Sequence, residues 1–213
     1  MAARFWVGGA GTWDASDTTH WSATTGGAGG ASAPTTADTV TFDSSSGTGV
    51  VTTAAGATCS TTTVNSSTIE LSLGADFTQT GAFTLTLGTV TLNSYNLTST
   101  ILVSSNSNVR TINFGTGKWT LSGSGTTILN AGTMTGLVCT GTRNIEFSYA
   151  GSTGTRSITP ASAAGGATES NCFNLKFLSG TDIVGFSSGR VHGTIDFNGF
   201  AGSFTTNSMT VYG

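Results

Sequence analysis

The stretch Phe83-Thr-Leu-Thr-Leu-Gly-Thr-Val-Thr-Leu-Asn93 indicates the fold class, because apolar and hydroxyl side chains alternate along it. Alternation with a period of two puts the apolar side chains on one face of an extended strand and the threonines on the other. A second stretch, Lys118-Trp-Thr-Leu-Ser-Gly-Ser-Gly-Thr-Thr-Ile-Leu-Asn130, shows the same pattern interrupted by glycine. Both stretches therefore predict short strands with one buried face and one polar but uncharged face.

The composition argues against a helical fold. Only 8% of the residues are charged, and 31 of the 213 residues are glycine. The scarcity of Lys, Glu and Gln removes the best helix formers, whereas β-branched threonine suits a pleated sheet. A hydrophobic content of 37%, with 12 Phe and 4 Trp, exceeds what disordered chains carry. We therefore expect an ordered all-β protein in which residues 26–30 form a flexible loop.

Strand-like segments recur from Val50 onward at intervals that fit either a β-solenoid or a β-sandwich such as a jelly roll. Cys59-Ser-Thr-Thr-Thr-Val64 resembles Cys172-Phe-Asn-Leu-Lys-Phe177, and both place a small residue before alternating positions. Such a unit suits one coil of a solenoid, and successive coils would span roughly 20 to 30 residues. We predict a β-solenoid-like stack of short strands, with a β-sandwich or jelly roll as the alternative.

The first part of the chain differs from the rest, because three of the four tryptophans lie there among glycine-rich turns. We divide the chain into a Trp/Gly-rich N-terminal head, residues 1–49, and a repetitive Ser/Thr/Gly-rich β domain, residues 50–213. The head is expected to form an aromatic cap on one end of the stack and to dock on a partner. The candidate docking residues are Phe5, Trp6, Trp13 and Trp21.

The opposite end of the repetitive domain has no polar terminal element in the sequence. Residues 204–212 still alternate as a strand. An uncovered terminal strand exposes unpaired backbone groups and invites pairing with other strands. We therefore expect either a partner subunit or further chain to cover this end.

Titratable residues that could support catalysis are few. The two histidines, His20 and His192, lie at opposite ends of the sequence, and His20 is expected to pack beside a neighbouring aromatic residue. The acids of the head form two close pairs, for which we expect roles in turns. The remaining acids could still meet across coils and support glycan hydrolysis, which uses two carboxyl groups. The paired acids are Asp14 with Asp17 and Asp38 with Asp43, and the isolated ones are Asp76, Glu146, Glu169, Asp182 and Asp196.

The three cysteines, Cys59, Cys139 and Cys172, lack the paired spacing of a zinc site or a redox motif. We interpret them as small buried apolar side chains. Together with the scarcity of titratable groups, this predicts a protein that is not an enzyme. We predict no catalytic, cofactor-binding or metal-binding residue.

The charge pattern argues against nucleic acid as a partner. The net charge is −3, and the seven basic residues are scattered singly rather than gathered into a stripe. No apolar run approaches the roughly 18 residues that a membrane-spanning helix needs, so we expect no membrane insertion. The N-terminal residues Met1 to Trp6 lack the apolar region of a secretory signal, which predicts synthesis and assembly in the cytoplasm.

The stretch Phe5-Trp-Val-Gly-Gly-Ala-Gly-Thr-Trp-Asp-Ala-Ser-Asp-Thr-Thr-His-Trp-Ser22, followed by Pro34-Thr-Thr-Ala-Asp-Thr-Val-Thr-Phe-Asp43, resembles a head module of tailed-bacteriophage virion proteins. Similar modules occur in bacterial surface β-solenoid proteins. The matching elements are the Trp-x-Gly-Gly turn, the two later tryptophans, and the proline followed by Asp-x-Val-x-Phe. The resemblance covers about a fifth of the chain and implies a structural or adhesive module without a defined activity.

This resemblance implies a structural component of a phage particle, assembled in the host cytoplasm and located in the virion. It would be displayed on the capsid or tail as a decoration or cement protein, a head fibre or a tail fibre. The expected partners are other virion proteins, further copies of the chain in a homotrimer, and a host surface glycan. The alternatives are a carbohydrate-binding surface adhesin module and, ranked third, a tailspike that depolymerises polysaccharide.

Overall fold

The structure is a computed structural model that describes residues 1–161, 166–187, 189–207 and 209–212. The described residues form strands, turns and loops but no helix, which confirms the predicted all-β class. In this part of the chain, no helix has the length and apolar character needed to cross a membrane. The strands that the sequence predicts from alternation are present, since residues 82–91 form one strand and residues 118–121 another.

Twenty-three strands follow one another along the described residues. They are β1 (Ala3–Trp6), β2 (Gly11–Trp13), β3 (Trp21–Ser22), β4 (Thr39–Phe42), β5 (Gly49–Thr53), β6 (Thr58–Cys59), β7 (Thr61–Leu73), β8 (Phe77–Gln79), β9 (Ala82–Thr91), β10 (Leu97–Ser99), β11 (Ile101–Val103), β12 (Arg110–Asn113), β13 (Lys118–Leu121), β14 (Leu129–Asn130), β15 (Leu137–Thr140), β16 (Asn144–Phe147), β17 (Thr155–Thr159), β18 (Asn174–Phe177), β19 (Ile183–Phe186), β20 (Gly189–His192), β21 (Ile195–Asp196), β22 (Ser203–Thr206) and β23 (Met209–Tyr212).

Fourteen of these strands form the large sheet, whose main row runs β22-β19-β17-β14-β11-β9-β7-β4-β1-β3. Its pairs are parallel except for β1 with β3, which is antiparallel. The strands β7 and β9 are long and carry register shifts near Asn65, so their second halves leave the main row. These second halves pair with β5 and β12, which carry a side row on to β2 and β15.

The seven-stranded sheet, ordered β21-β18-β16-β13-β10-β8-β6, is parallel throughout. Successive strands of this sheet alternate along the chain with strands of the large sheet. A third, two-stranded sheet joins β20 and β23, also in parallel. From β4 onward, the chain visits another sheet before it reaches the later strand of each pair, and such connections allow parallel pairing.

After the head, the number of residues between paired positions rises in the middle of the stack and falls again toward the C-terminal strands, where Leu175 pairs with Ile195, 20 residues later. Thr39 pairs with Thr61, 22 residues later, whereas Leu129 pairs with Ile158, 29 residues later. The additional residues lie in loops that connect the sheets. Residues 122–128 and 148–154 form two such loops, each leading from the seven-stranded sheet to the large sheet. We call these two segments the corner loops.

The core lies between the sheets and is built from in-register columns of apolar side chains. Within the seven-stranded sheet, Phe147 pairs with Phe177, and their rings stack with centroids 4.4 Å apart. Phe197 continues the stack at 5.0 Å from Phe177. Each fully buried phenylalanine or leucine stabilises the fold by roughly 1.5–3 kcal/mol relative to an exposed one. The core is therefore a continuous column of side chains.

The two ends of the stack differ in how they are covered. At the head, β3 pairs antiparallel with β1, and the loops that follow fold against it. At the other end, all four residues of β22 are exposed, and Phe204 keeps 56% of its surface in contact with solvent. The predicted strand character of residues 204–212 is confirmed for β22 and β23. Among the described residues, β22 pairs with β19 on one side and with no strand on the other, so this end presents an apolar surface and an open strand edge.

The head and the repetitive region share the same sheets. The head strand β4 pairs with β7, and β2 pairs with β5, so the ladder continues across the predicted boundary at residues 49 and 50. The aromatic residues of the head also belong to the same buried cluster as the later strands. The division into two regions describes composition, while the sheet is continuous.

Candidate functional site

Three of the four predicted docking residues lie in the core of the head. Trp6, Trp13 and Trp21 have no exposed surface, and their rings make edge contacts with one another at 4.9 and 5.2 Å. These indoles cannot contact a docked partner directly, which corrects their predicted role as surface contacts. Phe5 is partly exposed and remains the candidate contact of the four. Docking through the head stays a prediction.

His20 completes the aromatic cluster of the head. Its ring stacks on Trp6 with centroids 4.7 Å apart, and its Nδ1 lies 2.9 Å from Asp17 Oδ2. A Cβ at Gly11 would come within 2.9 Å of both His20 and Trp6, so glycine is required there for the rings to approach. The prediction that His20 packs beside an aromatic residue is confirmed. The side chain of His192 lies outside the described part of the structure.

The head aspartates hold turns, as their sequence context predicts. Asp14 Oδ1 accepts hydrogen bonds from the Ser16 amide at 2.7 Å, the Ser16 hydroxyl at 2.8 Å and the Asp17 amide at 2.7 Å. These bonds lower the pKa of Asp14 below its ordinary value of 3.8. The pKa of Asp38 is lowered by the hydrogen bonds from the Ala2 amide and the Thr35 hydroxyl. Both carboxylates are therefore structural anions.

The isolated acids have different environments, and two of them line the same groove. Asp182 is fully buried and forms a bidentate ion pair with Arg156, at 2.7 Å from Nε and 2.9 Å from Nη2. Asp76 accepts a hydrogen bond from the Asn96 amide at 2.8 Å. Glu146 and Asp196, by contrast, lie in a common groove on the outer face of the seven-stranded sheet. Glu169 lies apart from them.

We call this depression the polar groove; it has a volume of about 190 Å³. Lys176 lies between the two acids, because it pairs in register with Glu146 on one side and with Asp196 on the other. Neighbouring strands are about 4.8 Å apart, so the Cα atoms of the two acids are about 10 Å apart. The lining residues are Asn144, Glu146, Asn174, Leu175, Lys176, Thr194 and Asp196.

The charges of the groove are arranged with alternating sign. Lys118 Nζ lies 2.7 Å from Glu146 Oε2, so the two charges attract each other. The two groups are not aligned for a hydrogen bond. Lys176 Nζ lies 3.5 Å from Asp196 Oδ2, and both of these side chains are 43% exposed. Exposed pairs of this kind contribute little to stability, about 0–1 kcal/mol. The groove is therefore open to a ligand at Lys176 and Asp196, whereas the Glu146 side chain is 14% exposed and its Oε2 is buried.

A column of outward side chains extends from the groove along the whole sheet. The in-register residues on its seven strands are, in order, Thr58, Thr78, Thr98, Thr120, Glu146, Lys176 and Asp196. We call this row the outer column. Its first four positions carry hydroxyl groups, and its last three carry charges. The surface changes from uncharged to charged without leaving the same face.

A second buried arginine organises loops instead of pairing with an acid. Arg110 has no exposed surface, and its guanidinium donates to carbonyl oxygens of two loops. The acceptors include Asn108 at 3.1 Å and Thr135 at 2.8 Å, together with Ser104, Asn106 and Thr133. Burial lowers the pKa of Arg110. This arginine holds residues 104–108 against residues 133–135.

The three cysteines are buried, as the sequence predicts. Burial raises the pKa of Cys59 to about 12, although a hydrogen bond with Thr62 has a smaller effect in the opposite direction. Burial also raises the pKa of Cys139 to about 12, with the nearby Cys172 adding to the effect. Thiols with such values remain protonated at neutral pH and are weak nucleophiles.

The spacing of a nucleophile elbow, Gly-x-Ser-x-Gly, occurs once, at residues 185–189. In a hydrolase this motif joins a strand to a helix and points the serine at a histidine. Here its first two residues end β19 and its last glycine begins the strand β20, and Ser187 Oγ lies 2.5 Å from Thr159 Oγ1. The serine therefore bonds to a hydroxyl group on the neighbouring strand, not to a base.

Within the described ranges, no group of three or more His, Cys, Asp or Glu side chains is placed to hold a metal ion. In the part of the chain that the structure describes, the fold assembles Glu146 and Asp196 of the predicted set in the polar groove. Comparison of the chain with protein-family models, curated proteins and solved structures gives no match.

Proposed function

We propose that the chain is a β-solenoid that serves as a non-enzymatic structural component of a phage particle. It is displayed on the capsid or tail surface as a decoration or cement protein, a head fibre or a tail fibre. The observation that carries the proposal is the continuous parallel pairing of strands, sheet after sheet, from the head to β22. Such pairing makes a rigid element in which each coil contacts its neighbours.

The pairing supports a solenoid over a jelly roll. Jelly rolls and other sandwiches of this size are built from antiparallel strands. In this chain the antiparallel pair is β1 with β3, at the head, and the other pairs within the described residues are parallel. An antiparallel strand at the end of a parallel stack covers the terminal edge, which suits the predicted capping role of the head.

The use of the polar residues supports a structural role. Asp182, Arg156 and Arg110 are buried in contacts that hold strands and loops, and Asp14 and Asp38 hold turns. The outward positions carry mainly threonine, which keeps the surface soluble without net charge. Many copies of a weakly charged chain can pack closely without strong mutual repulsion.

The phage setting rests on the resemblance of the head sequence, and a homotrimer is the assembly we propose with it. Each chain has an apolar end, at Phe204, Val211 and Tyr212, whose exposed fractions are 56%, 49% and 42%. Burial of such side chains between subunits is a common source of oligomer stability. Other virion proteins would contact the head.

Particle binding tests this proposal. The purified chain is added to phage particles that lack it, and the particles are imaged by cryo-electron microscopy while the mass of the free protein is measured by light scattering. We expect ordered density on the capsid or tail and a mass three times the 21.3 kDa of one chain. A folded chain that leaves every particle undecorated would refute the structural role.

Two matched variants test which end docks. Phe5→Ser changes the partly exposed phenylalanine of the head, and Phe204→Ser changes an exposed phenylalanine at the opposite end. If the head docks, Phe5→Ser reduces decoration and Phe204→Ser preserves it. The reverse result places the docking surface at β22 and contradicts the role of the head.

A carbohydrate-binding surface module is the second candidate function, and the polar groove is the observation that favours it. The third candidate, a polysaccharide depolymerase, needs two carboxyl groups on either side of a glycosidic bond. Glu146 and Asp196 share the groove, but Lys176 lies between them and pairs with Asp196. The arrangement therefore favours binding over hydrolysis.

A further inference from the structure

The polar groove offers several hydrogen-bonding groups that the fold itself leaves uncommitted. Glu146 directs Oε2 at Lys118, and among the described residues its Oε1 has no hydrogen-bond partner. The carboxylate of Asp196 is in loose contact with Lys176, at 3.5 Å. Asn144 accepts a hydrogen bond from Asn174 through Oδ1, at 3.3 Å, and its amide nitrogen points to no acceptor in the described structure. Acceptors and donors thus alternate along the groove.

Asn174 has a different role, because it fixes the wall of the groove. Its Nδ2 donates to the Thr142 carbonyl at 3.0 Å, and its Oδ1 accepts from the Thr194 amide at 3.1 Å. A Cβ at Gly193 would come within 2.7 Å of the same oxygen, so glycine is needed beside it. The groove is therefore held by hydrogen bonds before any ligand arrives, which reduces the entropy lost on binding.

The charge balance selects the class of ligand. The two acids of the groove are opposed by Lys118 and Lys176, so an ionic ligand gains little from the overall field. A ligand rich in hydroxyl groups, in contrast, can donate to the carboxylates and accept from the ammonium and amide groups, and such bonds to charged groups are the stronger kind. Uncharged sugars have this chemistry.

The outer column indicates the direction in which an extended ligand would lie. The groove continues at the same register into Thr120, Thr98 and Thr78, which present hydroxyl groups at the strand spacing of about 4.8 Å. A sugar ring in an extended chain is comparable in length to this spacing. A linear oligosaccharide lying along the column would therefore meet one side chain per strand.

We propose that the polar groove and the adjoining outer column bind an uncharged linear glycan. Glu146 and Asp196 accept hydrogen bonds from the sugar hydroxyls, while Lys176 and Asn144 donate to them. The threonines support the rest of the chain. This site lies on the outer face of the seven-stranded sheet, and its Asp196 belongs to the terminal strand β21, at the same end of the stack as β22. The proposed docking residue Phe5 lies in β1 of the large sheet at the other end, so glycan binding is separate from docking through the head.

Calorimetric titration of the full chain with uncharged hexasaccharides tests the proposal. The probes are maltohexaose, cellohexaose, chitohexaose, xylohexaose and mannohexaose. We expect at least one of them to bind, and we expect Glu146→Gln and Asp196→Asn each to weaken that binding roughly tenfold, since each removes a charged acceptor. The absence of binding by all five hexasaccharides would overturn the proposal.

Matched threonine variants separate the outer column from general surface effects. Thr98→Ala removes a hydroxyl group from the column, and Thr63→Ala removes an outward hydroxyl group from β7 in the large sheet. Both variants are expected to keep the circular dichroism spectrum of the parent. Weaker binding with Thr98→Ala alone supports the site, whereas equal binding by both threonine variants and both acid variants contradicts it. Loss of glycan binding would leave particle decoration unchanged.

Discussion

Replacement of Asp182 by asparagine should destabilise the protein much more than the same replacement at an exposed ion pair. Asp182 and Arg156 are buried, with side-chain exposures of 0% and 1%, and they share two hydrogen bonds. The variant keeps the shape of the side chain but removes its charge. The guanidinium of Arg156 then remains in the core without a counter-ion.

The expected magnitude follows from the environment of the arginine. Removal of one partner from a buried ion pair costs about 3–5 kcal/mol, because the other charge stays desolvated. The rings of Tyr149, Phe177 and Phe200 lie 5.4, 5.8 and 5.5 Å from the guanidinium carbon and continue to attract it. We therefore expect a loss near the lower limit of this range, about 3 kcal/mol, which corresponds to a fall in Tm of roughly 6–12 °C.

Urea denaturation followed by circular dichroism measures the loss, with Asp196→Asn as the matched control. Asp196 pairs with Lys176 where both side chains are 43% exposed, so its variant should lose less than about 1 kcal/mol. Combining Asp182→Leu with Arg156→Met should recover most of the stability, since no charge remains buried. Equal losses for Asp182→Asn and Asp196→Asn would refute the reasoning.

Four further outcomes are expected. Phe177→Ala should cost about 3–5 kcal/mol in urea denaturation, because it opens the middle of the phenylalanine stack. Arg110→Met should speed amide hydrogen exchange in residues 104–108 and 133–135, and unchanged exchange would contradict the loop-holding role. The pKa of Asp38 is lowered in the folded protein, so the ionised carboxylate stabilises the fold fully above pH 3.8 and this stabilisation is lost as the pH falls through the folded pKa. Asp38→Asn should therefore make the free energy of unfolding less dependent on pH in that acidic range, as measured by urea denaturation. Cys59 and Cys139, with pKa values raised to about 12, should react with a thiol reagent at pH 8 only after unfolding.

The sequence was a good guide to the fold class, because alternation is a local signal. Residues 83–87 and 90–92 alternate, with a change of phase at Gly88 and Thr89, and all of them but Leu92 lie in β9. The same signal did not predict how strands pair, because the number of residues between paired positions varies widely: it is 19 for Ala82 with Ile101, 30 for Asn144 with Asn174 and 40 for Gly11 with Val51. A strand has the same pattern whichever partner it has, so the partner depends on the lengths of the connecting loops.

The candidate site was equally hard to predict from the sequence, because it also depends on strand pairing. Glu146 and Asp196 were among five isolated acids, and which of them share a surface depends on the register between β16, β18 and β21. Asp182, another of the five, is buried beside an arginine that is distant in sequence. For the tryptophans, clustering predicted proximity correctly. They are wholly buried because they pack around Phe42.

The corner loops have a consequence for protein engineering. Gly125 and Gly154 lie in these loops, and a side chain added at either position would meet no atom within 4 Å. The flanking strands β13 and β16 are neighbours in register, so the two loops leave the same edge on consecutive turns of the chain. Foreign peptides inserted at these two positions would emerge side by side, and copies of the chain arrayed on a surface would present them as ordered pairs.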